Sequence, residues 1–210
     1  EEKDKSNYIS VEKSKNNKYI FIYSQATMSS EVRMIDAAKP TESFKIFAPR
    51  ISNVLYSVIP LEDKFLISTN KDAKNFKLVE CALDKTNAEN WKDYIPHRTD
   101  VLIQSVDEFK DFIVISERKN GLTQLRIRNL KTGNEHYIDF GEAAYAANIS
   151  SSPEYTSTVF RYNYTSLTTP NSVYDYNMNT KEKKLMKQLQ VVGGYNKEDY
   201  TTERLYATAK

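Results

Sequence analysis

Few side chains in this 210-residue sequence have the types and spacing of a catalytic site. The candidates for acid–base or nucleophilic chemistry are His97, His136 and Cys81, together with scattered serines. No serine lies in a G-x-S-x-G sequence, the strained turn that exposes the nucleophile of α/β-hydrolases. Spacing alone does not exclude a Ser-His-Asp triad, because triads assemble from distant residues. The sequence nevertheless positions no nucleophile, and we predict no catalytic residue within it.

Cofactor, phosphate and metal sites are not indicated either. There are only five glycines, and neither a G-x-G-x-x-G nor a Walker sequence is present. A single cysteine and the lack of an H-E-x-x-H sequence argue against zinc and exclude an internal disulfide. We therefore predict no cofactor and no metal. Cys81 lies in the strand-like run 76–83 and is interpreted as a buried apolar residue, with a thiol lining a ligand channel as the alternative.

The charges are balanced and dispersed. Lys and Arg total 30 against 28 Asp and Glu, and no basic stripe of the kind that binds nucleic acid is present. The longest apolar runs, such as 19–23 and 112–115, are strand-sized and fall far short of the roughly 20 residues that span a bilayer. We expect neither nucleic acid nor membrane as a partner. A bacterial protein of the cytoplasm or the periplasm is expected, and the sequence leaves that choice open.

The feature that organises the chain is a repeat. Polar turns centred on Ala38, Thr86, Thr132 and Thr180 recur at intervals of 46 to 48 residues. Each turn occupies the same place among four predicted strands, of which the second is the most apolar and the fourth the most polar. Four antiparallel strands in roughly 40 to 50 residues form the unit of a β-propeller blade.

A β-sandwich is the alternative fold, since it also has many short strands, but it would not require the turn in the same place each time. We therefore predict an all-β fold, a partial β-propeller of about four blades of four antiparallel strands. The blades are expected at about 1–50, 51–97, 98–142 and 143–189. Only short helical turns are expected, near 88–91 and 197–200.

Four short stretches of the sequence are specific enough to indicate a protein family. They are TMSSEVRMIDA (27–37), IPHRTDVL (95–102), ERKNGLT (117–123) and RYNYTSLTTP (161–170). The last string, with the strands that follow it, is similar in order and spacing to the last propeller blade of the prolyl oligopeptidase family. Essentially the whole chain resembles this family, and in particular its oligopeptidase B (protease II) branch.

The resemblance implies a seven-bladed propeller joined to an α/β-hydrolase domain, in a serine peptidase that cleaves short peptides after Lys or Arg. Residues 1–189 would form the second half of the propeller, and 190–210 would be the linker and the start of the hydrolase domain. The catalytic Ser, Asp and His, and the acidic residues that hold the basic side chain of the substrate, are expected beyond Lys210. The expected partners are short peptides and the hydrolase domain of the same protein, and the expected role of the propeller is to gate and size-select the substrate.

Four residues are candidates for the hinge between the two domains: Pro170, Gly193, Gly194 and Tyr200. The two glycines could absorb backbone rotation, because glycine has no Cβ to restrict it. The alternative function is that of a free-standing propeller that serves as a platform for protein interactions. The position at which the chain leaves the repeats, beyond 190, favours the first reading.

A partial ring leaves two flanks open. We predict that alternate residues of 19–23 are uncovered on the N-terminal flank, and Val159, Tyr162 and Tyr164 on the C-terminal flank. Two such apolar faces would exceed what a monomer usually exposes. Self-association of the chain through these flanks is therefore expected.

Overall fold

The computed structural model describes residues 3–208, and over these residues it contains sixteen β-strands in four antiparallel sheets of four strands each. The all-β fold predicted from the repeat is confirmed. The first sheet comprises β1 (Tyr8–Lys13), β2 (Tyr19–Gln25), β3 (Ser30–Asp36) and β4 (Lys45–Ala48). The second comprises β5 (Tyr56–Pro60), β6 (Lys64–Thr69), β7 (Lys77–Ala82) and β8 (Lys92–Ile95). The third comprises β9 (Val101–Glu108), β10 (Phe112–Lys119), β11 (Leu122–Asn129) and β12 (Glu135–Tyr137). The fourth comprises β13 (Tyr145–Ile149), β14 (Val159–Ser166), β15 (Ser172–Asn177) and β16 (Lys183–Gln188).

Each sheet is a meander in which the spatial order of the strands follows the chain. We call the sheets blades 1 to 4. Short 3-10 turns occur at Ala88–Asn90 and Lys197–Asp199, where the sequence predicts helical turns. The turn between β10 and β11 shows how local sequence sets the register. Asn120 and Gly121 have φ angles of 50° and 77°, which is the conformation that an Asn-Gly pair adopts most readily in a two-residue hairpin.

The core lies between the blades and not within them. In β10, Phe112 and Val114 pack against blade 4, whereas Ile113 and Ile115 pack against blade 2. All four side chains are buried, because successive residues of a strand point to opposite faces of the sheet and both faces are covered. This is why the second strand of an interior blade is apolar without alternation.

Blade 2 repeats the arrangement. Phe65 and Ile67 of β6 belong to the cluster shared with blade 1, and Leu66 belongs to the cluster shared with blade 3. The first cluster is rich in aromatic contacts, for example the edge-to-face pair of Phe47 and Phe65, whose ring centroids are 5.1 Å apart. Cys81 is buried in the same cluster, which confirms its interpretation as a small apolar core residue.

The two outer blades are covered on one face only, and here one prediction is wrong. Tyr162 and Tyr164 are not uncovered: together with Phe160 they are buried against blade 3. The strand register decides this, because the residues between them, Arg161 and Asn163, point to the open flank instead.

Val159, Arg161 and Asn163 of β14 lie on the open C-terminal flank, which therefore carries Val159 as predicted but is otherwise polar along this strand. Arg161 lies on it and pairs with Asp175 of the neighbouring strand, with 2.7 Å between Nε and Oδ1. The N-terminal flank differs, because Ile20 and Ile22 share it with the exposed Val11. The structure therefore gives no support for self-association through the C-terminal flank. Self-association through the N-terminal flank stays a prediction.

A buried carboxylate ties the connection between blades 2 and 3 to the strands of blade 3. Glu117 at the end of β10 is fully buried and accepts hydrogen bonds from Arg98, Arg126 and Tyr137. Arg98 comes from the connection between the two blades, and Arg126 from β11. The distances from the carboxylate are 3.2 Å to Arg126 Nη1 and 2.8 Å to the Tyr137 hydroxyl. A buried charge is tolerated here because both of its oxygens accept hydrogen bonds and two of the three donors are cationic.

We expect the stacking contacts to dominate stability. Replacing Phe65 by Ala should lower the free energy of unfolding by about 3–5 kcal/mol, because the change leaves a cavity in the cluster between blades 1 and 2. Met28→Ala is the control, since Met28 is exposed in a turn. Urea unfolding of both variants measures the difference. Equal losses for the two variants would contradict a core built between the blades.

Removing the buried carboxylate is a second test. We expect Glu117→Ala to cost about 3–5 kcal/mol of unfolding free energy, because two arginines lose a buried partner. Glu80→Ala is the matched control: Glu80 pairs with Lys64 at 2.7 Å, but the two side chains are 32 % and 31 % exposed. An exposed pair of this kind is worth about 0–1 kcal/mol. A Glu117 variant as stable as the Glu80 variant would show that the burial carries no cost.

Candidate functional site

The meander gives the blades two distinct sides. Turns that join first and second strands lie on one side, and they contact each other from blade to blade. Lys18 Nζ lies 2.5 Å from the Glu62 carboxylate, Asn16 Nδ2 donates to the Pro60 carbonyl at 3.2 Å, and Lys110 N–H donates to the Tyr155 carbonyl at 2.8 Å. We call this the rim side. Turns that join second and third strands lie on the opposite side.

The segment that follows blade 4 returns to that opposite side, which we call the linker side. The Tyr195 hydroxyl donates to the Thr168 carbonyl in the turn between β14 and β15. Arg204 Nη2 donates to the Asn120 carbonyl in the turn between β10 and β11. The segment thus runs across the turns of blades 4 and 3.

The hinge residues predicted from the sequence lie around one cleft on the linker side. The cleft has a volume of about 370 Å³ and is lined by Pro170 from the blade and by Gly194, Tyr195 and Lys197 from the segment beyond it, among others. Tyr200 does not line the cleft, but its ring stacks on that of Tyr195 with the centroids 5.6 Å apart. Pro170 and Gly194 thus line the cleft, Gly193 precedes Gly194 in the chain and Tyr200 contacts a lining residue, so the four candidates share one neighbourhood.

Gly193 and Gly194 adopt φ angles of 97° and 88°. A Cβ built on either residue would meet no atom within 4 Å, so space does not require glycine at these positions. The backbone conformation does, because side chains other than that of glycine are strained at such angles. Their assignment as a hinge is consistent with this freedom and stays a prediction.

Sequence reasoning missed the residue that organises the cleft. Glu142, in the connection between blades 3 and 4, accepts hydrogen bonds from Thr169 Oγ1 at 2.7 Å, Lys197 Nζ at 2.9 Å and Thr168 Oγ1 at 3.0 Å. Burial opposes its ionisation, but hydrogen bonds, including those from Lys197 and Thr169, outweigh burial and lower the pKa of the carboxyl to about 2. A single Glu in a loop carries no sequence signal, since its partners lie 26 or more residues away.

A second cleft lies between the first strands of blades 1, 2 and 3. Its volume is about 510 Å³, and its lining is mostly polar. Lys15 Nζ lies 2.8 Å from the Asp107 carboxylate and 3.5 Å from the centre of the Phe109 ring. The Lys15–Asp107 pair links blade 1 directly to blade 3 across the cleft. Glu12, Lys13 and Glu108 complete its charged lining.

Glu108 is the carboxyl group in this cleft whose ionisation is most perturbed. Burial is the main cause and raises its pKa to about 7, and the negative charge of Asp107 acts in the same direction. Lys15 opposes the shift and Glu12 adds to it slightly. Burial also raises the pKa of Asp107, against the effect of Lys15. At neutral pH the cleft therefore holds a carboxyl group close to its midpoint of titration.

The two histidines considered for catalysis have surroundings that are typical of structural residues. His136 Nε2 lies 2.9 Å from the Tyr176 hydroxyl, which joins β12 to β15 across the blade 3–blade 4 interface. His97 lies half-buried in the connection between blades 2 and 3. Across residues 3–208, no three His, Cys, Asp or Glu side chains are grouped so that they could hold a metal ion. In the same range, no helix has the length and apolarity needed to cross a bilayer.

The titration of Glu108 predicts a dependence of stability on pH. Folding raises its pKa from 4.5 to about 7, so the folded state binds this proton more tightly than the unfolded state does. The free energy of unfolding therefore falls as the pH rises from 4.5 towards 7. Glu108→Gln should remove this loss and raise the unfolding free energy by about 1–3 kcal/mol at about pH 8. At about pH 4 the two proteins should be equally stable.

Urea unfolding at the two pH values checks this prediction. Glu182→Gln is the control, because Glu182 is exposed and should give no pH-dependent difference. A Glu108 variant that is less stable than the parent chain at the higher pH would contradict the assignment.

The comparisons with known proteins agree with this architecture. A family model of the N-terminal β-propeller domain of prolyl oligopeptidases matches residues 1–189. Dipeptidyl aminopeptidase BI of Pseudoxanthomonas mexicana is 40 % identical over 100 % of the chain, and Protease 2 of Moraxella lacunata is 33 % identical over the same extent. The chain covers 29 % and 30 % of these two proteins.

A solved structure gives the same result. Oligopeptidase B from Trypanosoma brucei, in a closed form with covalently bound antipain, superposes with a TM-score of 0.87 at 28 % identity, over 94 % of this chain and 29 % of that one. The fold, the family model and the relatives therefore lead to one conclusion. The chain belongs to the prolyl oligopeptidase family and forms part of its N-terminal β-propeller domain.

Proposed function

We propose that this chain is the gating part of a serine oligopeptidase that cleaves short peptides after Lys or Arg. The observation that carries the proposal is the polar cleft formed by the first strands of blades 1 to 3. A surface lined by Glu12, Lys15, Asp107 and Glu108 can solvate an extended peptide backbone, whereas an ordinary blade core could not. The preference for Lys or Arg is carried over from the oligopeptidase B branch that the sequence resembles.

The chemistry itself would come from a catalytic domain outside this chain. The chain spans less than a third of its relatives, and one of them is described with a covalently bound ligand. Covalent capture requires an activated nucleophile, and this sequence has no G-x-S-x-G turn to supply one. The propeller would contribute closure around the substrate, which excludes water and admits only slender chains.

The docking of the segment beyond blade 4 supports a lid. Its contacts with Thr168 and Asn120 lie on the linker side, so a domain that follows in the chain would cover that side. The rim side, where Lys18 pairs with Glu62, would then face solvent. A peptide would reach the active site through the axis of the propeller or through a gap between the domains.

Size selection gives the test. The parent enzyme that contains this chain should cleave a short fluorogenic peptide after Arg or Lys, and it should leave the same sequence intact when a folded protein displays it in a loop. A peptide with Gln in place of the basic residue is the control for specificity. The 210-residue chain alone should cleave none of these substrates. Cleavage of the folded substrate at a rate similar to that of the peptide would refute gating, and equal cleavage of the Gln peptide would refute the specificity.

A further inference from the structure

The segment beyond blade 4 leaves the sheet at Gln188 and then returns to it. Residues 189–201 are all exposed, and the stretch before Tyr195 contains the two glycines at positive φ. From Tyr195 to Arg204 the chain is held to the blades by side-chain hydrogen bonds: those of Tyr195 and Arg204 with the linker-side turns, and that of Lys197 with Glu142. A loop is thus followed by a segment that these hydrogen bonds dock on the blades.

Glu142 is built to hold a cation in place. The hydroxyl groups of Thr168 and Thr169 each donate to one of its oxygens, which orients the carboxylate from the blade side. Lys197 supplies the only formal charge among these three partners. The Glu142 side chain is 13 % exposed and the Lys197 side chain is 49 % exposed, so the lysine is the partner that can leave.

We propose that Glu142 is a latch for the linker, which decides where the chain beyond the propeller can pivot. With Lys197 bound, segment 195–204 belongs to the propeller and a pivot must lie beyond Arg204. With Lys197 released, the segment moves as well and the pivot shifts back to Gly193 and Gly194. The docking stands on the contacts of this chain alone, whereas its use in opening an active site rests on the proposed function.

The energetics suit a reversible latch. A hydrogen-bonded ion pair that is partly open to water contributes little more than an ordinary hydrogen bond, so thermal motion can break it. The carboxylate is ionised throughout the physiological pH range, because its pKa is about 2. A Cβ built on either glycine would meet no atom within 4 Å, so this stretch is loosely surrounded, and the docked contacts beyond it are the restraint on the segment.

Amide hydrogen exchange of the 210-residue chain, read by mass spectrometry, tests the latch. Lys197→Met keeps an unbranched, flexible side chain of similar length but removes the charged ammonium group. We expect amides in 195–204 to exchange about tenfold faster, the effect of losing about 1.4 kcal/mol of local stability. Glu142→Gln should give the same local change, and Lys197→Arg should restore protection.

Two controls separate the latch from general loosening. Lys85→Met and Glu182→Gln replace exposed side chains of the same types and should leave exchange in 195–204 unchanged. The exchange rates of the amides in β15, in the middle of blade 4, should be the same in every variant. An unchanged rate in the Lys197→Met variant, or a rise that extends through β15 in the Glu142→Gln variant, would overturn the proposal. These readouts need no peptidase activity, so they stand or fall independently of the proposed function.

Discussion

The structure depends on one constraint: the second strand of an interior blade must be buried on both faces. Four strands cannot cover their own apolar residues, because a single sheet has no second layer. Stacking against a neighbour on each side solves this, and it places consecutive residues such as Ile113 and Val114 in two different cores. The repeat length and the gradient from apolar second strand to polar fourth strand both follow from this stacking.

A buried charge at the interface of blades 2 and 3 is accommodated by partners from blade 3 and from the connection that precedes it. Glu117 is acceptable between blades 2 and 3 because Arg98 reaches it from the connection while Arg126 reaches it along the sheet. A pair of this kind adds little stability over an apolar contact of the same shape. Its geometry does, however, fix the position of the connection between the two blades, since a displaced Arg98 would leave the carboxylate with fewer partners. The interface core provides the energy of stacking, and the polar edge holds the connection in place.

The two sides of the blades are held together differently, and this suits different tasks. On the rim side, side chains such as Lys15 and Lys18 reach from one blade to another and join them around the axis. On the linker side, a carboxylate and two threonine hydroxyls meet a lysine from a separate segment. In the lid role proposed above, the blades would have to stay together while the attachment moves, and the two kinds of contact suit these two requirements.

Much of the fold could be read from the residues. The period of the polar turns predicted four sheets of four strands, because strand alternation and turn chemistry are local properties. The apolar second strands also indicated burial on two faces. The strings that resemble a peptidase family were likewise sufficient to predict the partial propeller.

The sequence did not predict which face of an outer strand is covered. Tyr162 and Tyr164 are apolar enough for an open flank or a core, and only the register of β14 against β15 directs them towards blade 3. The role of Glu142 depends in the same way on bringing together residues far apart in the chain. Composition and spacing determined the blades, because they follow from neighbours in sequence. The tertiary structure decided the flanks, the buried charges and the latch, because these depend on which distant side chains share one small volume and on the water that is excluded from it.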